Sequence, residues 1–99
     1  MFTAQRMGAE WALNAGFAQQ IVPKDALEQT VTDYANTIAA NAPLTVAAMK
    51  FISTQVLVDA DDRDLDRCQQ MVADCFASED FKEGRRAFME KRKPEFQGK

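Results

Sequence analysis

Ninety-nine residues, 46% hydrophobic and 27% charged, describe an ordinary soluble chain of one domain at most, and three prolines with four glycines leave little room for long loops. A formal net charge of −3 excludes nucleic acid as the main partner, because a phosphate backbone demands clustered positive charge. No apolar run approaches the roughly 18 residues needed to cross a bilayer and no charged-then-apolar leader is present, so a cytoplasmic chain with no membrane partner is expected.

Met7, Trp11 and Leu13 with Ala9 and Ala12 predict a short helix beginning near Gly8, and Gly16 is placed to stop it from the left-handed position just past the last turn. Residues 17–22 then run extended to Pro23, which pushes Val22 out of helical space. They have no other strand to pair with. They are either an extended surface connection or a strand whose neighbours lie on a longer polypeptide. Exposure of Phe2, Trp11 and Phe17 is expected on the second reading, since a small chain seldom leaves large apolar groups unshielded without a partner.

Leu27, Val31, Tyr34, Ala35, Ile38, Ala39 and Ala42 repeat with helical period and predict a second helix, with Asp25 as its cap and Asn41-Ala42-Pro43 as its stop. A third helix opens with Pro43 in its first turn and repeats Leu44, Ala47, Ala48, Phe51, Ile52 and Val56. Val46 and Met49 widen its apolar face, so it is expected to be covered on two sides.

The acidic run Asp59 to Asp66 invites a calcium reading, which fails on spacing. Counted from Asp59, Asp64 stands where an EF-hand loop needs glycine and Gln70 where it needs a bidentate glutamate. The run reads instead as the start of a fourth helix, capped by Asp61 or Asp62 and continuing on Leu65, Cys68, Val72, Cys75 and Phe76. Cys68 and Cys75, seven residues apart on that helix, are separated by about 10 Å, too far for a disulfide. With no histidine in the chain to serve as base or co-ligand, they read as free, half-buried thiols and no metal site is expected.

The strongest local signal lies at the end. Ser78 is a predicted N-cap, Glu79 and Asp80 place negative charge where the helix dipole favours it, and Lys91, Arg92 and Lys93 are predicted to fill the last turn before Pro94 ends the helix. Phe81 and Phe88, seven apart, share one face and are expected to anchor the helix to a partner surface. Gly84 in the second turn costs roughly 1 kcal/mol relative to alanine, which a close approach of another backbone would explain. The fold class that emerges is all-α, about five short helices with one short extended connection.

Ser78-Glu79-Asp80 followed by Glu83-Gly84, Ala87-Phe88, Glu90-Lys91-Arg92, Pro94 and Phe96 resembles the C-terminal signature of the enoyl-CoA hydratase/isomerase (crotonase) superfamily. Phe2-Thr3-Ala4, Arg6, Ala9, Ala12, Gly16 and Ile21-Val22-Pro23 are similar to that family's segment between its core and its C-terminal helices. Residues 17–20, Phe-Ala-Gln-Gln, depart from the family pattern of leucine or phenylalanine, valine, then asparagine or aspartate.

The resemblance implies that residues 1–22 are the trailing segment of a core domain and residues 23–99 a C-terminal helical domain. It implies no catalytic residue in this chain: the backbone oxyanion hole and the catalytic glutamates of hydratases belong to the core. No cofactor is implied beyond a coenzyme A thioester as substrate. The family's C-terminal helices pack subunits together and cover the acyl-CoA site, so self-association or the missing core domain is the expected partner. The resemblance carries two binding positions onto this chain, Phe88 and Lys91, toward the adenine and 3′-phosphate end of CoA. From charge alone Arg92 and Lys93 could share that role. Without the resemblance, Phe88 reads equally as part of a packing stripe and Lys91 as a solvated cation favoured by the helix dipole.

Two functional readings follow. In the first, the chain is the C-terminal helical portion of a protein acting on acyl-CoA thioesters, by hydration or isomerisation of a 2-enoyl-CoA, and is inactive alone. In the second, it is a free-standing helical module whose apolar surface binds a protein partner.

Overall fold

A six-residue helix has no interior, so its ends decide whether it forms. Helix α1, Ala9–Asn14, begins after Gly8 in extended backbone and ends in a Schellman motif with Gly16 at φ +72°. The Phe17 N–H donates to the Ala12 carbonyl at 2.8 Å and the Gly16 N–H to that of Leu13 at 3.1 Å. The computed structural model describes residues 3–99. Met1 and Phe2, with the expectation placed on Phe2, lie outside the described residues.

Residues 17–22 carry no helix, and among the described residues there is no strand. Trp11 and Phe17 meet at a ring-centroid distance of 6.3 Å, tilted by 38°. Both remain exposed, Phe17 at 64%. The chain then enters a 3₁₀ turn, Lys24–Ala26, that runs directly into α2, Leu27–Ala39. Asp25 therefore lies inside that turn and makes no capping bond, contrary to its expected role; Pro23 holds the N-terminal position. The apolar stripe of α2, Leu27, Val31, Tyr34 and Ile38, is exposed along its whole length.

The chain divides into two compact units, Met1–Tyr34 and Ala35–Lys99. Within the second, α3 (Pro43–Gln55) opens on its proline as expected, because the missing N–H is one that a helix start leaves unpaired in any case. Helix packing joins α3 to α4, Leu65–Ala77, and α4 to α5, Glu79–Glu90. The two-sided cover expected for α3 is not found. Ala48 is buried against its neighbours while Met49, Val56 and Leu57 stand in solvent, Leu57 at 89% exposure.

The acidic run resolves differently from the sequence expectation. Asp59 and Asp62 close a 3₁₀ turn through an N–H to carbonyl bond of 3.0 Å, and Arg63 is extended, so the α-helix starts only at Leu65. Its cap is Asp64, whose Oδ1 accepts the Arg67 N–H at 2.9 Å, and not Asp61 or Asp62. Gln55 Oε1 accepts the Asp64 N–H at 3.0 Å and ties this start back to the end of α3. Cys68 and Cys75 are free and half-buried.

Among the described residues the only buried apolar side chains are Ala48 and Ala87. Large apolar groups lie on surfaces that this chain leaves open. No helix among the described residues is long and apolar enough to cross a membrane.

Candidate functional site

Ser78 separates α4 from α5 and serves both. Its Oγ donates to the Cys75 carbonyl at 2.7 Å and accepts the Phe81 N–H at 3.0 Å, the predicted N-cap. The helix ends earlier than expected. Its last residue is Glu90, and Lys91 takes the left-handed conformation at φ 56°, ψ 38°. The Arg92 N–H reaches the Ala87 carbonyl at 3.0 Å and the Lys91 N–H that of Phe88 at 3.3 Å, a second Schellman motif. The three cations predicted for the last turn thus lie beyond the helix, and Lys91 rather than Pro94 ends it.

The face of α5 that this chain itself covers is a different one from that of the two phenylalanines. Asp80, Gly84 and Ala87, spaced by four and three, form the covered side; Asp80 is 3% exposed and Ala87 1%. Phe81 packs edge-on against Phe76, at 5.1 Å between ring centroids and 70° between planes, but Phe88 is 82% exposed. The reading of Phe88 as internal packing fails within this chain.

What covers the Asp80 face is the end of the chain itself. After Pro94 the backbone returns along α5, and the Phe96 ring lies 3.5 Å from where a Cβ on Gly84 would stand. The close approach expected at Gly84 is therefore a side chain, at ordinary contact distance, and not a backbone. Glu83 holds the return turn: its Oε1 accepts from Arg92 Nη1 at 2.6 Å and from the Glu95 N–H at 3.0 Å, and its Oε2 accepts from Arg92 Nη2 at 3.0 Å and from Arg86. The Arg92 bonds, then the Glu95 N–H, then Arg86 hold the Glu83 carboxyl far below the usual carboxylate range. Glu83 and then Glu90 push the Arg92 guanidinium above its ordinary value.

Arg92 is thereby committed, which removes it from the cations available to a ligand. Among the described residues no ion pair involves Lys91, Lys93 or Arg85. Sequence reasoning missed the roles of Asp80 and Glu83 because both lie in the first half of a helix, where carboxylates are already favoured by the dipole. Their spacing of three places them on one face, and that was the signal available.

Helices α3, α4 and α5 enclose a groove of about 640 Å³. Its lining is mainly apolar, with Ala48 and Ile52 of α3, Cys75 and the partly exposed Val72 of α4 and Phe81 of α5, and Phe96 from the tail. Met49, Phe76, Phe88 and Met89 also line it, and each is exposed. Of the polar residues that line it, Ser78 and Asp80 are spent on backbone bonds, which leaves Arg85 as the unpaired charge. The surface can hold an apolar group beside an anion. Among the described residues no group of histidine, cysteine or carboxylate side chains is placed to hold a metal ion.

The family model of the enoyl-CoA hydratase/isomerase family matches residues 1–99. The chain belongs to the enoyl-CoA hydratase/isomerase family. Over 101 aligned residues it is 37% identical to the methylmalonyl-CoA decarboxylase of Escherichia coli, a match that covers 99% of this chain and 38% of that protein. It is 35% identical over 95 residues to the short-chain-enoyl-CoA hydratase of Clostridium acetobutylicum, covering 96% of this chain and 36% of the relative. A crystal structure of a probable enoyl-CoA hydratase/isomerase from Mycobacterium abscessus superposes with a TM-score of 0.88 at 32% identity, covering all of this chain and 38% of the other. The chain thus spans little more than a third of the length of the relatives it matches. Its all-helical architecture is that of the C-terminal helical region of the enoyl-CoA hydratase/isomerase fold, as the sequence signature implies.

Proposed function

We propose that this chain forms the CoA-facing and subunit-packing helical part of an acyl-CoA-handling protein, and that it has no catalytic activity of its own. On this reading residues 1–22 trail from a core domain and residues 23–99 are the helical domain. The reaction of the whole is hydration or isomerisation of a 2-enoyl-CoA, in the cytoplasm. One observation carries the CoA-facing role: Lys91 is held in a left-handed turn clamped by Arg92, with no ion pair among the described residues, three residues after a phenylalanine that the chain leaves 82% exposed. An ammonium and an aromatic face presented together suit a phosphorylated purine nucleotide, the ammonium for the 3′-phosphate and the ring for the adenine. Packing of subunits is supported by the open stripe of α2 and by Val56 and Leu57 at the end of α3.

The test is a chimera in which these 99 residues replace the matching segment of the Clostridium acetobutylicum hydratase. Lys91→Ala in that chimera is expected to weaken inhibition by CoA about tenfold, in line with the loss of one charge-assisted bond, and to leave 3′-dephospho-CoA unaffected. Equal inhibition by CoA before and after the substitution removes Lys91 from the site. Independently of the chimera, crotonyl-CoA is offered to the purified 99-residue chain: no turnover is expected, and measurable hydration overturns the claim that the catalytic groups lie elsewhere.

A further inference from the structure

Of the five residues that end the chain, three give their backbone N–H to a carboxylate. Glu95 donates to Glu83 Oε1 at 3.0 Å, and Gln97 and Gly98 donate to the two oxygens of Asp80 at 2.7 Å each. The Asp80 N–H donates back to the Lys99 carbonyl at 3.1 Å. A carboxylate drawn out of water is costly unless its oxygens are satisfied, and main-chain N–H groups satisfy both of those on Asp80. These bonds read backbone and say nothing about side chains. Selection rests on two positions. The Phe96 ring sits against Gly84, and Gly98, at φ +75°, brings its missing Cβ to 3.5 Å from Pro43 Cβ. Glu95, Gln97 and Lys99 are exposed.

We propose that Asp80, Glu83, Gly84 and Pro43 form a peptide-binding site that takes a Phe-x-Gly segment, with its glycine in the left-handed region, through its main chain. Its occupant is the chain's own tail, and the seated tail straps α5 to the start of α3. Helix packing joins α3 to α4 and α4 to α5; the strap supplies the third side. Its seating places Phe96 in the wall of the apolar groove, and the Arg92 to Glu83 clamp that begins it fixes the turn carrying Lys91. The site stands on the bonds above; only its consequence for Lys91 rests on the CoA-facing reading.

The experiment is amide hydrogen exchange, resolved by residue, on the full chain without CoA. The Gln97 and Gly98 amides are expected to be protected together. In Asp80→Asn, which turns one acceptor into a donor aimed at an N–H, their exchange is expected to quicken at least tenfold while the amides of α4 are unmoved. Gly98→Ala leaves both carboxylates in place and is expected to give the same loss, because alanine is strained at that φ, its methyl meeting Pro43 only at ordinary contact distance. It carries the test if Asp80→Asn fails to fold. Gln97→Ala is expected to change nothing. Free-peptide exchange rates in the unmodified chain, or protection that survives both Asp80→Asn and Gly98→Ala, overturn the proposal. Protection that rises with protein concentration also overturns it, because the occupant is then the tail of a second copy. None of these readouts involves CoA, so failure of the CoA-facing reading leaves them untouched.

Discussion

Lys91 is the one described non-glycine residue with both a left-handed backbone and a proposed ligand role, and replacing it with glycine separates the two. A left-handed conformation costs an L-residue roughly 1–2 kcal/mol. Glycine removes that cost but loses more freedom on folding, a penalty of roughly 0.5–1 kcal/mol. The net expectation for Lys91→Gly, taken at the middle of those ranges, is a gain of about 0.75 kcal/mol, or a rise of roughly 3–6 °C in Tm for a chain of this size. Both bonds of the Schellman motif, Arg92 to Ala87 and Lys91 to Phe88, are main-chain and survive the change. Thermal melting followed by far-UV circular dichroism measures the gain, and CoA inhibition in the chimera measures the loss of the ammonium. Stability is expected to rise while affinity falls, the pattern of a residue whose backbone strain is retained for its side chain. A lower Tm in Lys91→Gly would refute the reasoning, since the lysine side chain would then contribute more to the fold than its backbone costs.

Gly84→Ala is expected to raise stability by up to about 1 kcal/mol, because the new methyl would meet the Phe96 ring at ordinary contact distance while the helix gains a better former; chemical denaturation reads the shift. Ser78→Ala is expected to cost about 1 kcal/mol by the same assay, since Ser78 Oγ satisfies the Phe81 N–H at the start of α5. The depressed Glu83 carboxyl contributes stability that is present above the ordinary glutamate value of about 4.3 and is lost as pH falls below it toward the lower folded-state value. Melting curves between neutral and acid pH are therefore expected to show a steeper acid loss in the unmodified chain than in Glu83→Gln, and parallel curves would contradict the assignment.

The helices were legible wherever a local rule fixes them. Gly16 ends α1 because a left-handed stop needs no information from outside the turn, and Pro43 and Ser78 begin α3 and α5 for equally local reasons. Errors arose where two local signals compete. Asp61, Asp62 and Asp64 are each adequate caps, and the choice of Asp64 depends on Gln55, nine residues earlier, accepting its N–H. Lys91 is a poor residue for a left-handed stop, so nothing in the sequence ends α5 before Pro94; the clamp from Arg92 to Glu83, nine residues back, accompanies the earlier stop. The site divides in the same way. Phe88 and Lys91 were read from a family signature, whereas the Asp80 and Glu83 grip on the tail joins residues 12 to 18 apart that no periodicity relates.

A chain whose buried apolar side chains, among the described residues, are two alanines nonetheless shows well-defined helix ends. Caps and Schellman turns satisfy backbone groups one turn at a time, so they specify where helices start and stop without a large core. They cannot specify what lies against the finished helices. That division explains why α2 keeps a regular apolar stripe that the chain itself does not cover, and why the most exposed aromatic among the described residues, Phe88, stands three residues before the one that ends α5. A face left open by chance would not be expected to fall within one turn of a strained lysine that has no ion pair among the described residues and sits on a clamped turn. The coincidence of the two at one helix end is what favours a ligand there over an incidental apolar surface.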